Sequence, residues 1–285
     1  MNSRTPTILK PTARGRASAL SELSLRGLLC LAFFCTAQLR AAAPSTSSDG
    51  QINVGAAGNF TVLTLGEDTD NTLTGPSLID GTLGIAGRAK FSITDGDITG
   101  DVIYRTGSTI NTSGPGRIHG RTFSSDGVLD QAALDAQNLS DSAFGETVTG
   151  RYAGLTTVNT NKNMTITGGP GEKVVLRLTD FVMTDGTFTL QGTATTAFII
   201  NISGRFALTG KAAITLAGVP PANVLFNIRG TGQQVSLNQG TSLSGILLAT
   251  KRTVDLSGGK VIGAVVGNQV NITSGGSVVS PSRNR

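Results

Sequence analysis

The sequence predicts an all-β chain with one helix, wound as a β-solenoid, and three observations carry that prediction. Residues 187–273 are a run of short strand-like phrases, TFTLQG, FIINI, FALTG, AITLAG, NVLFNI, QVSLNQG, GILLA, TVDLSGG, GAVVG and QVNIT. In some of them apolar and small polar residues alternate, as in Phe188/Leu190, Phe206/Leu208, Ile214/Leu216, Val235/Leu237, Val254/Leu256 and Val270/Ile272. Such a strand is buried on one face. In the others (198–202, 224–228, 246–249 and 264–266) the apolar run is nearly unbroken, so both faces must be covered. The third observation is the spacing. Along Val235, Val254 and Val270, and along Phe226, Leu248 and Val266, the phrases recur at steps of roughly 16–22 residues, the size of one coil of a stacked repeat. Glycines such as Gly210, Gly240 and Gly275 punctuate it where tight turns are needed. A β-sandwich also gives many short strands, but it does not explain the recurrence.

From the start of the chain, residues 1–43 read as an export signal. Arg4, Lys10, Arg14, Arg16 and Arg26 precede an apolar core at 27–36, and Ala41, Ala42 and Ala43 supply small residues for cleavage. The core is shorter than the roughly 20 apolar residues that span a bilayer. Without the leader, Lys+Arg falls from 23 to 17 and Asp+Glu from 18 to 17, so residues 44–285 carry a formal charge of 17 − 17 = 0. A nucleic-acid-binding domain shows a basic patch, and the charge balance here argues against that class. Cys30 and Cys35 both leave with the leader, which removes disulfides and thiol chemistry from the mature chain.

Residues 44–53 are expected to form a polar linker, 54–281 the solenoid domain and 282–285 a polar tail. AAGNFTVLTLG (56–66), GTLGIAG (81–87), KFSITDG (90–96) and DVIYRTG (101–107) supply the first strands. Residues 126–143 are the expected helix, with Ser125 or Asp126 as its cap and Val128, Leu129, Ala132, Ala136, Leu139 and Ala143 at helical spacing. One amphipathic helix needs an apolar wall, and the two-sided strands need a cover. The helix is therefore expected to lie along the solenoid against Ile199, Leu225, Leu247 and Val265.

GTLGIAGRAKFSITDG, the helix, and NVLFNI followed by GILLA and GAVVG resemble the choice-of-anchor A family of bacterial surface proteins, which is regarded as adhesive. The wider plan, with AGNFTVLTLG near the start and AFIINISGRFALTGKAAITLAG before NVLFNI, is similar to the ice-binding-like family. The resemblance spans about residues 54–281. It implies a right-handed, discontinuous β-helix of triangular section with a single α-helix packed along one side.

Catalysis is disfavoured by the residues themselves. His119 is the one histidine, so neither a histidine metal site nor a histidine pair can be built. It sits in GPGRIHGR, a turn-rich stretch, and no GxSxG elbow occurs. The acids that could pair, Asp95/Asp97 and Glu67/Asp68, fall in turns, where acids serve local hydrogen bonding. DTDNT (68–72) and DGDITGD (95–101) lack the ligand spacing of a calcium loop. No catalytic residue, metal ligand or cofactor is expected.

A binding surface remains. Stacked coils set equivalent residues about 4.8 Å apart, so outward Thr189, Gln191, Thr209, Thr215, Ser236, Asn238, Ser257, Asn271 and Thr273, with Asp255 the one acid among them, are expected to form a flat, nearly uncharged grid suited to a repetitive ligand. The chain reads as a secreted, non-enzymatic adhesive protein whose partner is an extracellular surface, a glycan or ice. The alternatives are an ice-binding protein and a solenoid polysaccharide lyase. No nucleic-acid partner and no membrane span of the mature chain are expected.

Overall fold

The computed structural model describes Ser45–Thr46 and residues 52–281; the predicted export signal and polar tail lie outside these residues. Short strands turn at corners and stack in parallel on the coils above and below, forming three ladders. In spatial order the first runs through Lys173–Leu178, Ala197–Ile202, Val224–Ile228, the segments 246–249 and 264–267, Val62–Thr64, Leu83–Ile85, Val102–Tyr104 and Thr122–Ser124. The second runs through Thr157–Thr160, Asp180–Met183, Phe206–Leu208, Val235–Asn238, 253–257, 269–273, Asp70–Thr74, Lys90–Thr94 and Thr109–Ser113. The third runs from Met164–Thr167 to Arg117–Ile118 in the same way.

The order of the coils is not the order of the chain. The first coil stacks on the last: Thr72 is paired with Asn271 and Leu73 with Ile272, partners drawn from opposite ends of the solenoid sequence. The chain thus begins in the middle of the stack, winds to one end at 124, and passes through helix α1, Asp126–Gly145. It then starts again at the other end and winds back to the middle. At the seam Asn71 stands in a column otherwise filled by Phe, Val and Ile. It is fully buried, and its Oδ1 accepts the Val270 N–H at 2.8 Å while its Nδ2 donates to Thr69 Oγ1 at 3.2 Å and Lys90 O at 3.3 Å. The amide side chain supplies partners to backbone groups that would otherwise be buried unpaired.

Inside the coils the alternation behaves as expected except at Leu216, which is only partly buried beside buried Ile214. Phe188, Leu190, Phe206, Leu208, Val235, Leu237, Val254, Leu256, Val270 and Ile272 are all buried. Phe181 stacks on Phe206 of the next coil with ring centroids 5.3 Å apart, and Phe188 meets Phe181 edge-on at 5.0 Å. Such ring pairs add to what their buried area contributes. At one corner the coils come too close for any side chain. A Cβ on Gly263, whose φ is 150°, would lie 1.9 Å from the Gly245 carbonyl oxygen of the coil beneath.

The unbroken apolar strands all lie on the first ladder, and α1 covers it. Leu129, Ala132, Ala136, Leu139 and Ala143 are buried in one cluster with Phe60, Leu63, Ile199, Leu225, Ile246, Leu248 and Val266. Ile199 and Leu225 face the helix as expected, whereas Leu247 and Val265 point into the solenoid. The register explains the slip. Phe226 pairs with Leu247 and not with Leu248, so that step is one position shorter than the sequence spacing suggests. A run apolar on both faces has no parity of its own, and a shift of one residue exchanges inside for outside. Val128 is 43% exposed and does not join the stripe. Ser125 makes no side-chain capping bond, and Asp126 instead accepts the Thr106 N–H at 2.8 Å.

Polar contacts fix α1 on its wall. Asn227 Nδ2 donates to Ser140 O and to Asn201 Oδ1, at 2.9 and 2.8 Å, while Ser140 Oγ donates to Asn227 Oδ1 at 2.7 Å. Asn201 donates in turn to Ala143 O at 2.8 Å. The last carbonyls of the helix are therefore met by amides of two stacked strands, and Arg177 and Arg229 stack on Phe144 at 4.7 and 4.5 Å. Cations at this end also suit the helix dipole. At mid-helix, buried Asp135 accepts the Ala56 N–H at 2.7 Å and ties α1 to the turn Gly55–Asn59. Within the stretch read as a linker, Ser45–Thr46 pairs antiparallel with Ile52–Asn53, and Ile52 is buried in the helix cluster. One corner is held differently. The buried guanidinium of Arg252 donates to the carbonyls of Ser203, Gly204, Arg229 and Gly230, and burial lowers its pKa.

Thermal melting checks this packing in two places. Leu139→Asp buries an unpaired charge between helix and ladder and costs about 3 kcal/mol or more, lowering Tm by roughly 6–12 °C. Exposed Val128→Asp stays within about 0.5 kcal/mol of the parent. Equal melting of the two would mean that α1 is not the cover. Arg252→Leu strands carbonyls of two other coils and costs about 1–3 kcal/mol; an unchanged Tm would remove the clamp from the account.

Candidate ligand-binding face

The outward side of the second ladder carries two columns of short polar groups. Ser236, Asp255, Asn271, Thr72, Ser92 and Asn111 follow one another in register, each on its own coil. Beside them run Asn238, Ser257 and Thr273, and then Thr74, Thr94 and Ser113. Local sequence explains the regularity: each strand has inward apolar residues at alternate positions, and the residue between them must face out. Rungs repeat at about 4.8 Å and the two columns lie about 6.6 Å apart, two residues along each strand.

Hydrogen bonds within the face are few and run from rung to rung. Thr72 Oγ1 donates to Asn271 Oδ1 at 3.2 Å, and the hydroxyls of Thr94 and Ser113 are 2.9 Å apart. Asp255 is the one charged residue in the two columns. It is partly buried, Gln234 Nε2 donates to it at 3.3 Å, and burial raises its carboxyl pKa against the lowering effect of that bond. At the edge nearer the first ladder, Lys90 and Asp70 pair across coils at 4.0 Å. Beyond Ser236 the first column is interrupted, where buried Ala207 and then Val182 take the equivalent places before Asn159.

The residues predicted from sequence are not one grid. Ser236, Asn238, Ser257, Asn271 and Thr273 share the second ladder. Thr209 follows its strand Phe206–Leu208, and its hydroxyl turns back toward Met183 O at 3.5 Å. Thr189, Gln191 and Thr215 belong to the third ladder, where Thr189 and Thr215 are in register with hydroxyls 3.3 Å apart. A single reading of alternation cannot separate the two, because both ladders are polar outside and apolar inside. Thr72, Thr74, Ser92, Thr94, Asn111 and Ser113 complete the face from the first half of the chain. Their signal was present: DNTLTG, KFSITDG and TINTSG repeat the form of QVSLNQG, TVDLSGG and QVNITSG. What the sequence hides is that these two sets of coils are neighbours.

The other chemistry-bearing groups are engaged elsewhere. His119 Nε2 lies 3.6 Å from Asp97 of the coil beneath, and Arg121 pairs with Asp101 at 2.9 Å. A cavity of about 610 Å³ lies between α1 and the first ladder, bordered by Phe60, Leu139, Pro220, Ile246, Leu248 and Val266. None of its lining residues carries a titratable side chain. Its hydroxyls, on Thr61, Thr82 and Ser280, have no acid or base beside them in the lining.

Solved structures share this architecture. An ice-binding protein from an Antarctic biological consortium is 20% identical with a TM-score of 0.54, covering 80% of this chain and 90% of its own. An ice-binding protein from the Antarctic ascomycete Antarctomyces psychrotrophicus is 19% identical with a TM-score of 0.50, covering 79% and 96%. The DUF3494 domain of ice-binding protein 1 from Shewanella frigidimarina is 17% identical with a TM-score of 0.50, covering 85% and 99%. At these identities the likeness is one of fold. No curated protein matches the chain in sequence. The sequence profile described as "Putative Ice-binding-like adhesive domain" matches residues 40–279, and with the stacked ladders, the covering helix and the flat polar face in place, the chain belongs to that ice-binding-like adhesive domain family.

Proposed function

We propose that this is an exported, non-enzymatic surface-binding protein that attaches through the outward side of its second ladder to an extended, repeating, uncharged surface outside the cell. The observation that carries the proposal is the pair of registered Ser, Thr and Asn columns, which present short hydroxyl and amide groups at the spacing of the rungs. Short side chains on a stiff ladder lose little rotamer freedom on contact, and equivalent groups on successive coils suit a ligand that repeats. Adhesion to a glycan or other extracellular surface is the primary reading. Ice binding is the second, favoured by the ice-binding proteins that share the fold. A lyase needs acids and bases projecting from neighbouring coils, and the two columns hold Asp255 alone. We also infer a right-handed winding, the hand that connections between parallel strands take in nearly all sheets.

Adsorption to ice, with ice shaping and recrystallisation as readouts, separates the two readings when run beside attachment to glycan-coated surfaces on residues 44–285. In either case Ser257→Tyr and Thr74→Tyr stand proud of the flat face and weaken attachment, with stability within about 0.5 kcal/mol of the parent. Thr189→Tyr and Thr215→Tyr, on the third ladder, leave attachment unchanged. The reverse pattern would move the site to the third ladder. Export predicts an exported form beginning at or a few residues before Pro44 and free of cysteine; amino-terminal sequencing that still found Arg26 would refute it.

A further inference from the structure

The binding face contains one group that works against the use proposed for it. Among the outward residues of the two columns, Asp255 is the single charge, set between Ser236 and Asn271 in register near one end of the polar stretch. Thr253 and Ser257 flank it on its own strand, and Gln234 is its hydrogen-bond partner. The cations nearest in sequence point to other tasks. Arg252 commits its guanidinium to four carbonyls at the corner, and Lys251 lies exposed beyond it. The charged pair on the same ladder, Lys90 with Asp70, belongs to other coils and is satisfied within itself. Asp255 therefore faces the ligand side with an amide donor and no counter-charge beside it among the described residues.

We infer that Asp255 is a specificity-determining brake: ionised, it opposes attachment of the face to an uncharged lattice, and protonated, it releases that opposition. The inference rests on the proposed use of this face. Seating a flat surface removes water from every outward group, and a carboxylate gives up far more hydration than a hydroxyl or an amide of similar size. A neutral lattice returns hydrogen bonds but no charge. The direction of the titration agrees. Burial already raises the Asp255 pKa in the free protein, so the ionised form is the costly one above that raised value. The cost falls away as pH drops through that raised value and the carboxyl takes up a proton. Covering the face deepens the burial and raises the pKa further, which couples attachment to proton uptake.

The test compares parent, Asp255→Asn and Ser257→Tyr, as exported protein carrying a fluorescent label, adsorbing to polycrystalline ice and to microcrystalline cellulose between about pH 7 and about pH 4. On the lattice that takes up the parent, Asp255→Asn adsorbs severalfold more strongly near neutral pH. The gap closes as pH falls, because the parent gains while the asparagine variant stays level. An Asp255→Asn variant that adsorbs no better than the parent at neutral pH, or a gap that persists at the acid end, overturns the inference. If Ser257→Tyr loses adsorption while Asp255→Asn matches the parent, the brake alone is wrong. If Ser257→Tyr adsorbs as the parent does, the face itself is wrong and the brake falls with it.

Discussion

The structure depends on the pairing of the last coil with the first. Parallel coils bury the edges of their neighbours, and every coil away from the ends needs one on each side to satisfy its backbone groups. Because the chain starts in the middle of the stack, two sets of coils must meet there, and the Thr72 to Asn271 register is where they do. Asn71 marks that junction: a polar side chain in an apolar column, fully bonded to Val270, Thr69 and Lys90. An entirely apolar residue at the site would leave the Val270 amide without that partner.

Helix α1 answers the second requirement, that the chain travel from one end of the stack to the other. It does so over a ladder whose outward side is apolar, and each needs the other to keep its apolar groups from water. The buried amides of Asn201 and Asn227 then set the helix in one position by bonding Ala143 O and Ser140 O. Apolar contact alone would tolerate sliding. The paired amides of adjacent rungs do not, since each displaced bond would leave a polar group buried and unsatisfied.

Much of this was legible in the sequence, and the omissions share one cause. Alternation revealed the inward residues, the regular return of similar phrases revealed coils, and the small-residue stripe from Leu129 to Ala143 revealed the helix. Leu247 and Val265 were misplaced because a strand apolar on both faces carries no parity. Asn201 and Asn227 sit inside such strands and read as interruptions, although they are the pegs of the helix. Val128 fits helical spacing only at the margin of the stripe and turns outward. The face itself was half visible: the spacing within 235–273 placed Ser236, Asn238, Ser257, Asn271 and Thr273, but pattern along a chain cannot report which distant coils adjoin. It also could not tell that Thr189, Gln191 and Thr215 belong to a different side.

The mid-stack start has a consequence for how the protein comes into use. The two polar columns pass through the seam, with Ser257 and Thr273 contributed by the last coils made and Thr74, Thr94 and Ser113 by the first. A chain emerging from its site of synthesis holds only one of these sets until its carboxyl-terminal coils arrive. A prematurely terminated or clipped product displays at most a fragment of the surface. On the use proposed for this face, competence to bind is thereby tied to completeness of the polypeptide, and partial molecules would compete poorly with the finished protein.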